Sequence, residues 1–478
     1  MSELMDKIDR IEAEGVLPRL GLNGIDVWPL LRVRLIQKTK RTDSLRIREI
    51  FSVCRILLNE IVQVVRDLLT LQFLRKSESP TVVFFSHPGC LAKYHRSWYD
   101  RYCDPIVDEL LSHGMRSEIL EYSASTVFKS PTALPRRSVN LPLIFAKVIS
   151  WPIAMWTKFW RKAELDRIDS LIEEGGIAEF ISAAELNKLS AFVLFAKWVL
   201  VMRLRLLRCK VGFVCCYYSS SAMAFVAACR TLGVPVYDIQ HGVQGQEHVA
   251  YHQWVFPDDR SYETLPTGFW CWDNESANCL KQWCTEARGE KVVVGGNVWI
   301  EYLFNQLERD DPFYAPSARR RVLISLQPLA QPLRPLLITA IMDSAVDIEW
   351  VVRMHPVMTA SQVDMIVATL KKVIDEGRLI VQSDEHTPLP LVLPTVSLHV
   401  TEFSSVVLES ASIGLPSVVL DEKGLMLYRH LTPLGLVYYA GSSSELSRLM
   451  DICKPYSDMS PRSGLTESAV RQILLELN

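Results

Sequence analysis

Two adjacent serines, Ser404 and Ser405, lie between a strand-like run and a helix-like run in the segment VSLHVTEFSSVVLESASIGLPSVVLD. The first amides of a helix lack intrahelical partners and carry partial positive charge, so hydroxyls at that point can complete a cradle for phosphate. Glu409 follows Ser405 by four residues, one turn along the same helix face, where a carboxylate can accept hydrogen bonds from ribose hydroxyls. The segment therefore predicts a nucleotide site, and ordinary helix capping beside a solvated Glu409 is the alternative.

A histidine stands at the end of another strand-like run, IEWVVRMHPVM, which closes with His355 and Pro356. Proline suits the first turn of the segment that follows, and it leaves His355 at the carboxyl end of the predicted sheet. An imidazole there can donate a hydrogen bond to phosphate and adjust its charge to the ligand. We expect His355, with Pro356 and Arg353 beside it, to bind the same phosphate as the serines. The alternative is a purely structural histidine.

A third group of polar residues follows the strand-like run VPVYDI, in the segment VYDIQHGVQGQEH. Acid, amide and imidazole groups after a parallel strand lie where such sheets bind ligands. We predict that the catalytic base is among Asp238, His241 and Glu247, and that Gln240 and Gly242 lie on the acceptor side of a cleft. A glycine would let the backbone approach a ligand closely.

His87 ends the earlier strand-like run TVVFFSHPGC, and we place it on the acceptor side as well. The sequence contains no P-loop, no Gly-x-Gly-x-x-Gly after the opening strand and no Asp-x-Asp for a metal-diphosphate unit. The 11 cysteines are scattered without the spacing of a zinc site. We therefore expect no metal ion and no cofactor, with donor phosphate bound by the serines, His355 and helix dipoles.

The elements that must position these residues alternate between strand and helix patterns in two series. Residues 1–75 are basic and helix-patterned, and we expect them to form a helical N-terminal appendage. The first alternating series predicts a Rossmann-like acceptor-side domain at residues 76–270, and the second predicts a Rossmann-like nucleotide-sugar domain at 271–478. We place KVVVGGN at the start of the second series. The expected fold class is α/β, with two doubly wound domains facing a cleft.

Composition limits the partners and the location of the chain. A formal net charge of -2 gives no overall attraction to nucleic acid. The N-terminus lacks the apolar run of a secretory signal, and the scattered cysteines fit a reducing compartment, so we expect a cytoplasmic protein. Charges and Pro152 interrupt the apolar stretches 141–160 and 191–207, which predicts buried amphipathic helices. Trp151, Trp156 and Trp160 leave open a peripheral association with the inner face of the cytoplasmic membrane.

The chain resembles bacterial glycosyltransferases of the GT-B fold that build surface polysaccharides, in particular sialyltransferase-like and Kdo-transferase-like families. Three short motifs carry the resemblance: His355-Pro356, Ser404-Ser405 and Gln240-His241-Gly242. The resemblance implies that the His-Pro and Ser-Ser motifs bind the phosphate and nucleotide of a CMP-sugar, and that an acidic residue of the first domain is the base. The first domain shows no acidic motif of the sialyltransferase kind.

The resemblance implies a metal-independent glycosyltransferase that moves a sugar, favoured as Kdo or a sialic-type acid, from a CMP-sugar onto a surface polysaccharide or lipid-linked glycan. Teichoic-acid polymerases that use CDP-glycerol share a similar pattern, with Glu402 where they tend to have aspartate, so a polyol-phosphate transferase is an alternative. A nucleotide-sugar epimerase of the same fold is another. A non-enzymatic scaffold is the third, and it would bind no nucleotide.

Overall fold

The computed structural model describes residues 2–39, 76–94, 97–122, 136–245, 248–256, 260–306, 319–345, 347–382, 387–455, 460–461 and 463–477. The chain divides into two compact units. The first consists of Met1–Leu91, Tyr102–Gly295 and Glu467–Asn478, and the second of Ala92–Arg101 and Gly296–Thr466.

Parallel sheets form the centre of both units. The strands of the first unit and of the short hairpin before it are β1 (Gly21–Leu22), β2 (Ile25–Asp26), β3 (Thr81–Ser86), β6 (Arg116–Glu121), β7 (Arg136–Ser138), β8 (Cys209–Cys215), β9 (Val236–Ile239), β10 (Gly268–Cys271) and β11 (Lys291–Val294). Those of the second unit are β4 (Leu91–Tyr94), β5 (Ser97–Asp100), β12 (Arg320–Ser325), β13 (Ile348–Arg353), β14 (Leu379–Gln382), β15 (Leu398–Thr401), β16 (Ser417–Val419) and β17 (Val437–Tyr439).

Helices connect most of these strands. In the first unit they are α1 (Ser2–Glu14), α2 (Val27–Thr39), α3 (Cys103–Ser112), α4 (Asn140–Trp160), α5 (Lys162–Glu174), α6 (Ala183–Leu206), α7 (Ser220–Thr231) and α8 (Asn274–Lys281). In the second unit and at the C-terminus they are α9 (Val298–Gln306), α10 (Pro335–Met342), α11 (Ala360–Leu370), α12 (Leu389–Val392), α13 (Val406–Ser412), α14 (Glu422–Tyr428), α15 (Ser443–Ile452) and α16 (Leu465–Leu475).

The order of the strands creates a switch point in each sheet. Among the described residues the first sheet has the order β11-β10-β9-β8-β3-β6-β7, and the second has the order β14-β13-β12-β15-β16-β17. The chain runs outward from β3 through β6 and β7, then returns to β8 and continues on the other side. In the second sheet the chain runs outward from β12 through β13 and β14, then returns to β15 and continues through β16 and β17 on the other side. Ligands of open parallel sheets bind beyond the carboxyl ends of the strands at such a point.

Burial explains why these segments form parallel strands. All six residues of β3, TVVFFS, are buried, as expected for a strand with both faces covered. In the second sheet, Val322 and Trp350 pack in one core cluster while their neighbours Leu323 and Val351 pack in another. Alternate side chains therefore supply the cores on the two faces of the sheet.

Residues 2–39 form α1, the hairpin of β1 and β2, and α2, and they pack into the core of the first unit instead of forming the expected separate appendage. Arg32 is buried and forms an ion pair of 2.9 Å with Glu12. Its guanidinium also donates to the carbonyl of Val249 at 2.6 Å and lies 3.8 Å from the ring centroid of Trp254. Residues 40–75, the rest of the expected appendage, lie outside the described residues.

The KVVV run differs from its expected position. We expected it to open the second series, whereas the structure pairs it as β11 with β10 in the first sheet. The change of unit follows at Gly296. The periodicity of a buried strand is the same in either sheet, so pattern alone does not assign a strand to one of two neighbouring domains.

The two long apolar stretches form α4 and α6. Across the described residues, no helix combines the length and the apolar character needed to span a bilayer. Helix α6 is largely buried, as expected. Helix α4 buries only one face, because its aromatic residues Trp151, Trp156 and Trp160 are exposed.

Candidate functional site

Sulfur and imidazole groups meet at the switch point of the first sheet. Strand β3 leads into His87, β8 ends at Cys215, and β9 leads to His241. Because β3 and β9 both neighbour β8, the Cys216 sulfur lies beside the imidazoles of both histidines. The structure therefore brings two predicted histidines together with two cysteines that the sequence shows only as an adjacent pair.

Cys216 has an unusual backbone conformation, with φ of 61° in the left-handed region. Along an ordinary strand successive side chains point to opposite faces, so adjacent thiols would diverge. Here the sulfurs of Cys215 and Cys216 and a ring nitrogen of His241 all lie within 4.8 Å of one another. A left-handed non-glycine residue costs on the order of 1 kcal/mol or more, and such strain concentrates at functional sites.

The members of this cluster shift one another's pKa values. The hydrogen bond with the Cys215 thiol lowers the pKa of Cys216 well below its usual range, against the effect of burial. The neighbouring imidazole of His241 lowers it further. Burial opposes charge on His241, but the Cys216 sulfur and Asp238 raise the pKa of its imidazole to about 9. Cys216 and His241 therefore each favour the charged form of the other.

The two ring nitrogens of His241 have different surroundings. Nε2 lies 2.7 Å from the hydroxyl of Tyr218. Nδ1 is buried and makes no hydrogen bond of ordinary geometry with any described residue. The Tyr102 hydroxyl donates to the backbone carbonyl of His241 at 3.4 Å. Tyr218 therefore orients the ring and leaves Nδ1 as the nitrogen available for chemistry.

His87 lies at the end of the neighbouring strand and is half-buried. Its Nδ1 accepts a hydrogen bond from the backbone N–H of Gly89 at 3.0 Å. The edge of its ring faces Tyr122, with ring centroids 5.7 Å apart. These contacts hold the imidazole beside the thiols of Cys90 and Cys216.

Asp238 lies within β9 and is completely buried. Its carboxylate accepts hydrogen bonds from the Tyr251 hydroxyl at 2.6 Å and from the backbone N–H of Tyr217 at 3.0 Å. Burial raises its pKa to about 7, although His241 and the Tyr251 hydrogen bond both favour the charged form. Asp238 thus lies close enough to His241 for its charge to raise the pKa of the imidazole.

The other predicted residues of this segment have mixed positions. Gln240 is buried and accepts a hydrogen bond from the backbone N–H of Trp272 at 2.6 Å. It also donates to the carbonyl of Gly242 at 2.9 Å, so it ties the loops after β9 and β10 together. Glu247 lies outside the described residues.

Hydrogen bonds also join the loops at the switch point of the second sheet. Gln327, just after β12, accepts a hydrogen bond from the backbone N–H of Phe403 at 3.0 Å. The hydroxyl of Tyr428 contacts the carbonyls of Phe403 and Ser404 at 3.2 and 2.9 Å. The loop that carries the paired serines is thus held from both sides.

The predicted serines lie at the start of α13, as the pattern indicates. Ser405 is the N-cap residue, but its side chain makes no capping hydrogen bond. The Ser404 hydroxyl accepts a hydrogen bond from the N–H of Val406 at 3.4 Å. Both serines are half-buried, and Glu409 is half-buried one turn later, beside Tyr428. Helix α13 has seven residues, and the N–H groups of its first three, Val406, Val407 and Leu408, already donate to oxygens of Ser404 and Ser405.

Arg334 organises the same edge, and sequence reasoning missed it. Its Nε lies 2.7 Å from the carboxylate of Glu402, its Nη1 donates to the carbonyl of Leu420 at 3.0 Å, and its Nη2 contacts Asp421. Burial raises the pKa of Glu402, and Arg334 opposes that shift. A single arginine in the run QPLRPLL gives no sequence signal for this role, because its partners lie far away along the chain.

The structure places the residues of the IEWVVRMHPVM segment around the end of β13. Arg353 is buried and donates from Nη1 to the carbonyl of Thr387 at 2.9 Å. His355 is half-buried, and its Nδ1 accepts a hydrogen bond from the N–H of Val357 at 3.2 Å. Pro356 is exposed. Strand β12 separates β13 from β15 in the sheet, so His355 and the serines share one edge of the same sheet.

Solved structures share this architecture. A structure of S. aureus MnaA with UDP is similar with a TM-score of 0.50 and 14% identity, over 84% of this chain and 98% of that one. A UDP-N-acetylglucosamine 2-epimerase gives a TM-score of 0.50 and 13% identity, over 84% and 95%. The glycosyltransferase SnogD from Streptomyces nogalater gives 0.42 and 13%, over 84% and 95%.

No protein-family model matches the chain, and no curated protein sequence matches it significantly. The structural similarity at 13 to 14% identity concerns the fold. Together with the two parallel sheets and their switch points, it confirms the predicted fold class: the chain has two Rossmann-like α/β domains of the GT-B type.

Proposed function

We propose that the chain is an enzyme that acts on a nucleotide-activated sugar and binds the nucleotide in its second unit. The observation that carries the proposal is the switch point between β12 and β15, where the half-buried Ser404 and Ser405 begin α13. Paired hydroxyls at the positive end of a helix, at this point of a parallel sheet, suit a phosphate group. Glu409 supplies a carboxylate one turn away for ribose, and His355 an imidazole on the same edge.

A UDP-sugar is the first candidate substrate, and epimerisation is the first candidate reaction. The support is the similarity to a structure that contains UDP and to a UDP-N-acetylglucosamine 2-epimerase. Transfer of Kdo or a sialic-type acid from a CMP-sugar is the second candidate, and its support is the pair of short motifs His355-Pro356 and Ser404-Ser405. Transfer of a polyol phosphate from CDP-glycerol is the third candidate, and its support is the same two motifs together with Glu402.

Calorimetric titration tests the nucleotide site. We would titrate the full chain with UDP, CMP, CDP and GDP, with and without Mg²⁺, and repeat the titrations on Ser404→Ala/Ser405→Ala. Loss of hydroxyl hydrogen bonds to phosphate should weaken binding about tenfold or more, because charge-assisted hydrogen bonds contribute about 1.5–3 kcal/mol each. Ser412→Ala, at the far end of α13, is the matched control and should bind as the wild type does. Absence of binding to all four nucleotides would leave the scaffold alternative.

A second assay separates the two reactions. Incubation with a UDP-sugar and no acceptor, followed by proton NMR, should show an epimer or free sugar if the chain is an epimerase. A transferase should leave the donor intact until a glycan acceptor is added. We propose His241 and Asp238, together with Glu247, as the groups that move protons in either reaction. In the metal-free chain, with a pKa of about 9, His241 enters the reaction as a proton donor.

One feature of the fold favours an acceptor at a membrane. Helix α4 buries Leu143, Ala146 and Ala154 on one face, while a second apolar stripe is exposed on the other. The exposed stripe consists of Phe145, Val148, Trp151, Met155, Trp156, Phe159 and Trp160. The helix contains no acidic residue, and Lys147 and Lys158 are exposed on it. Aromatic rings with basic flanks suit the interface of an anionic bilayer, and we propose that this stripe docks the enzyme there.

Vesicle sedimentation tests the docking. The wild type should sediment with vesicles that contain phosphatidylglycerol and remain in solution with neutral vesicles. Trp151→Ser/Trp156→Ser/Trp160→Ser should lose most of the binding. Met426→Ser removes a side chain that is similarly exposed at 65%, but in the second unit, and should bind normally. Equal sedimentation of the wild type and the triple variant would contradict membrane docking by α4.

A further inference from the structure

The sulfur and imidazole cluster of the first unit has the composition of a metal site. The Sγ atoms of Cys215 and Cys216 and a ring nitrogen of His241 lie mutually within 4.8 Å. Within the part of the chain that the structure describes, this is the one group of three such ligands at that spacing. We propose that these three side chains bind a zinc ion, in a site that goes beyond the proposed nucleotide-sugar activity and does not depend on it.

The backbone accounts for the convergence of the ligands. Cys215 pairs with Ile239 on the neighbouring strand, so His241 follows two residues beyond the paired position. The left-handed conformation of Cys216 turns its thiol back toward that of Cys215. Three ligands from two adjacent strand ends thus surround one point at the edge of the sheet. Ligand atoms around a zinc ion lie 2.0 to 2.3 Å from it, so small side-chain adjustments would close the site.

The ligand types select the ion. Thiolate sulfur and imidazole nitrogen suit zinc, whereas magnesium and calcium require oxygen ligands. Each thiol that binds releases its proton to solvent, and the imidazole binds in its neutral form. The Tyr218 hydroxyl lies 2.7 Å from Nε2, so Nε2–H can donate to it while Nδ1 faces the ion. The buried Nδ1, which makes no hydrogen bond of ordinary geometry within the described residues, then gains a ligand bond.

Access and coordination number point to an open site. Cys215 is buried, but Cys216 and His241 are half-buried, so an ion can reach the cluster from solvent. Three protein ligands leave a fourth position, which is the arrangement of catalytic zinc sites rather than structural ones. The Cys90 thiol also lies beside Cys215, but it is not among the three ligands at this spacing. Sequence spacing indicated no metal site, because the ligands come together only when β8 and β9 pair.

Metal analysis of the full chain, expressed without a histidine tag and purified without chelators, tests the proposal. We expect close to one zinc ion per chain, retained after dialysis. Replacement by Co²⁺ should produce near-ultraviolet absorption from thiolate-to-cobalt charge transfer. Cys216→Ser/His241→Ala should lose both signals, while Cys279→Ser, which alters a half-buried cysteine outside the cluster, should keep them. No nucleotide is needed, so this result is independent of the proposed enzymatic activity.

The proposal is overturned if the folded wild type, grown with added zinc, contains none and shows no charge-transfer absorption with Co²⁺. It is also overturned if a folded Cys216→Ser/His241→Ala variant binds Co²⁺ as the wild type does, since the ion would then lie elsewhere. Circular dichroism checks that the variant is folded. If it is not, the wild-type Co²⁺ spectrum decides, because the charge-transfer absorption itself reports sulfur ligands.

Discussion

At the scale of single residues, His399 shows how burial sets the charge of a side chain. It lies in β15, completely buried, with Nε2 2.7 Å from the Ser325 hydroxyl and Nδ1 2.9 Å from the Ser417 hydroxyl. These strands flank the proposed nucleotide site. Burial lowers the pKa of His399 to about 3. The imidazole is therefore neutral in the folded chain at any pH where an enzyme would work.

This burial makes stability depend on pH in a definite direction. An unfolded histidine takes up a proton below about pH 6.5, and the folded chain does not until about pH 3. The free energy of unfolding should be unaffected by His399 above about pH 6.5 and should fall by about 1.4 kcal/mol per unit below it. Urea unfolding of wild type and His399→Gln at several pH values measures the slope, which should be smaller in the variant. Parallel slopes in both chains would rule out His399 as the cause.

Arg334 provides a second prediction at this scale. Arg334→Met leaves the Glu402 carboxylate buried near Asp421 without its cation. We expect a loss of about 2 kcal/mol in the free energy of unfolding, less than for a fully buried pair because the Arg334 side chain is 35% exposed. Arg334→Met/Glu402→Gln should lose less than the single variant, since it removes the unpaired charge. Additive losses in the double-mutant cycle would show that the two side chains act independently.

At the scale of elements, the loop of the paired serines depends on a close approach by α14. A Cβ atom at Gly424 would lie 2.3 Å from the backbone oxygen of Glu402 and 3.0 Å from Cβ of Val419. Neither atom belongs to the flexible end of a side chain. The helix and the loop after β15 must therefore separate if position 424 carries a side chain.

Gly424→Ala should consequently destabilise the chain by about 3 kcal/mol, the upper range for overpacking. It should also weaken nucleotide binding, because Ser404 belongs to the displaced loop. Gly377→Ala is the control: its Cβ would have its nearest neighbour, Nη1 of Arg319, at 4.0 Å. Thermal unfolding and calorimetric titration of both variants give the comparison. If Gly424→Ala is destabilised but binds nucleotide normally, the loop after β15 is not part of the nucleotide site.

The elements also show how far the sequence predicts this fold and site. Strand-like runs such as TVVFFS and IEWVVR became β3 and β13, because continuous burial leaves a strong local signal. The position of Ser404 and Ser405 before a helix was predictable for the same reason. The order of the strands in the sheet was not predictable, because the pairing of β11 with β10 depends on contacts between residues that are distant in sequence. Sequence patterns therefore could not predict the contact of Cys216 with His241 or the ion pair of Arg334 with Glu402.

At the scale of the whole molecule, the two units should respond differently to a nucleotide. If the ligand binds in the second unit, a concentration about 100 times Kd should stabilise that unit by about 2.7 kcal/mol. Hydrogen exchange should slow in peptides around β13 and β15, and remain unchanged in those of α1 and α2. Slowed exchange confined to the loop after β9 would instead assign the nucleotide to the first unit.

The division of the chain has a consequence for biosynthesis. Residues Glu467–Asn478 belong to the first unit, where Glu476 forms an ion pair of 2.7 Å with Lys291. At typical rates of translation, the ribosome needs on the order of ten to thirty seconds to make the second unit in between. During this time the nascent first unit lacks α16, and the surface that α16 later covers is exposed. A chaperone that binds nascent chains would find its target there, and the first unit completes its folding only after residues 467–478 have left the ribosome.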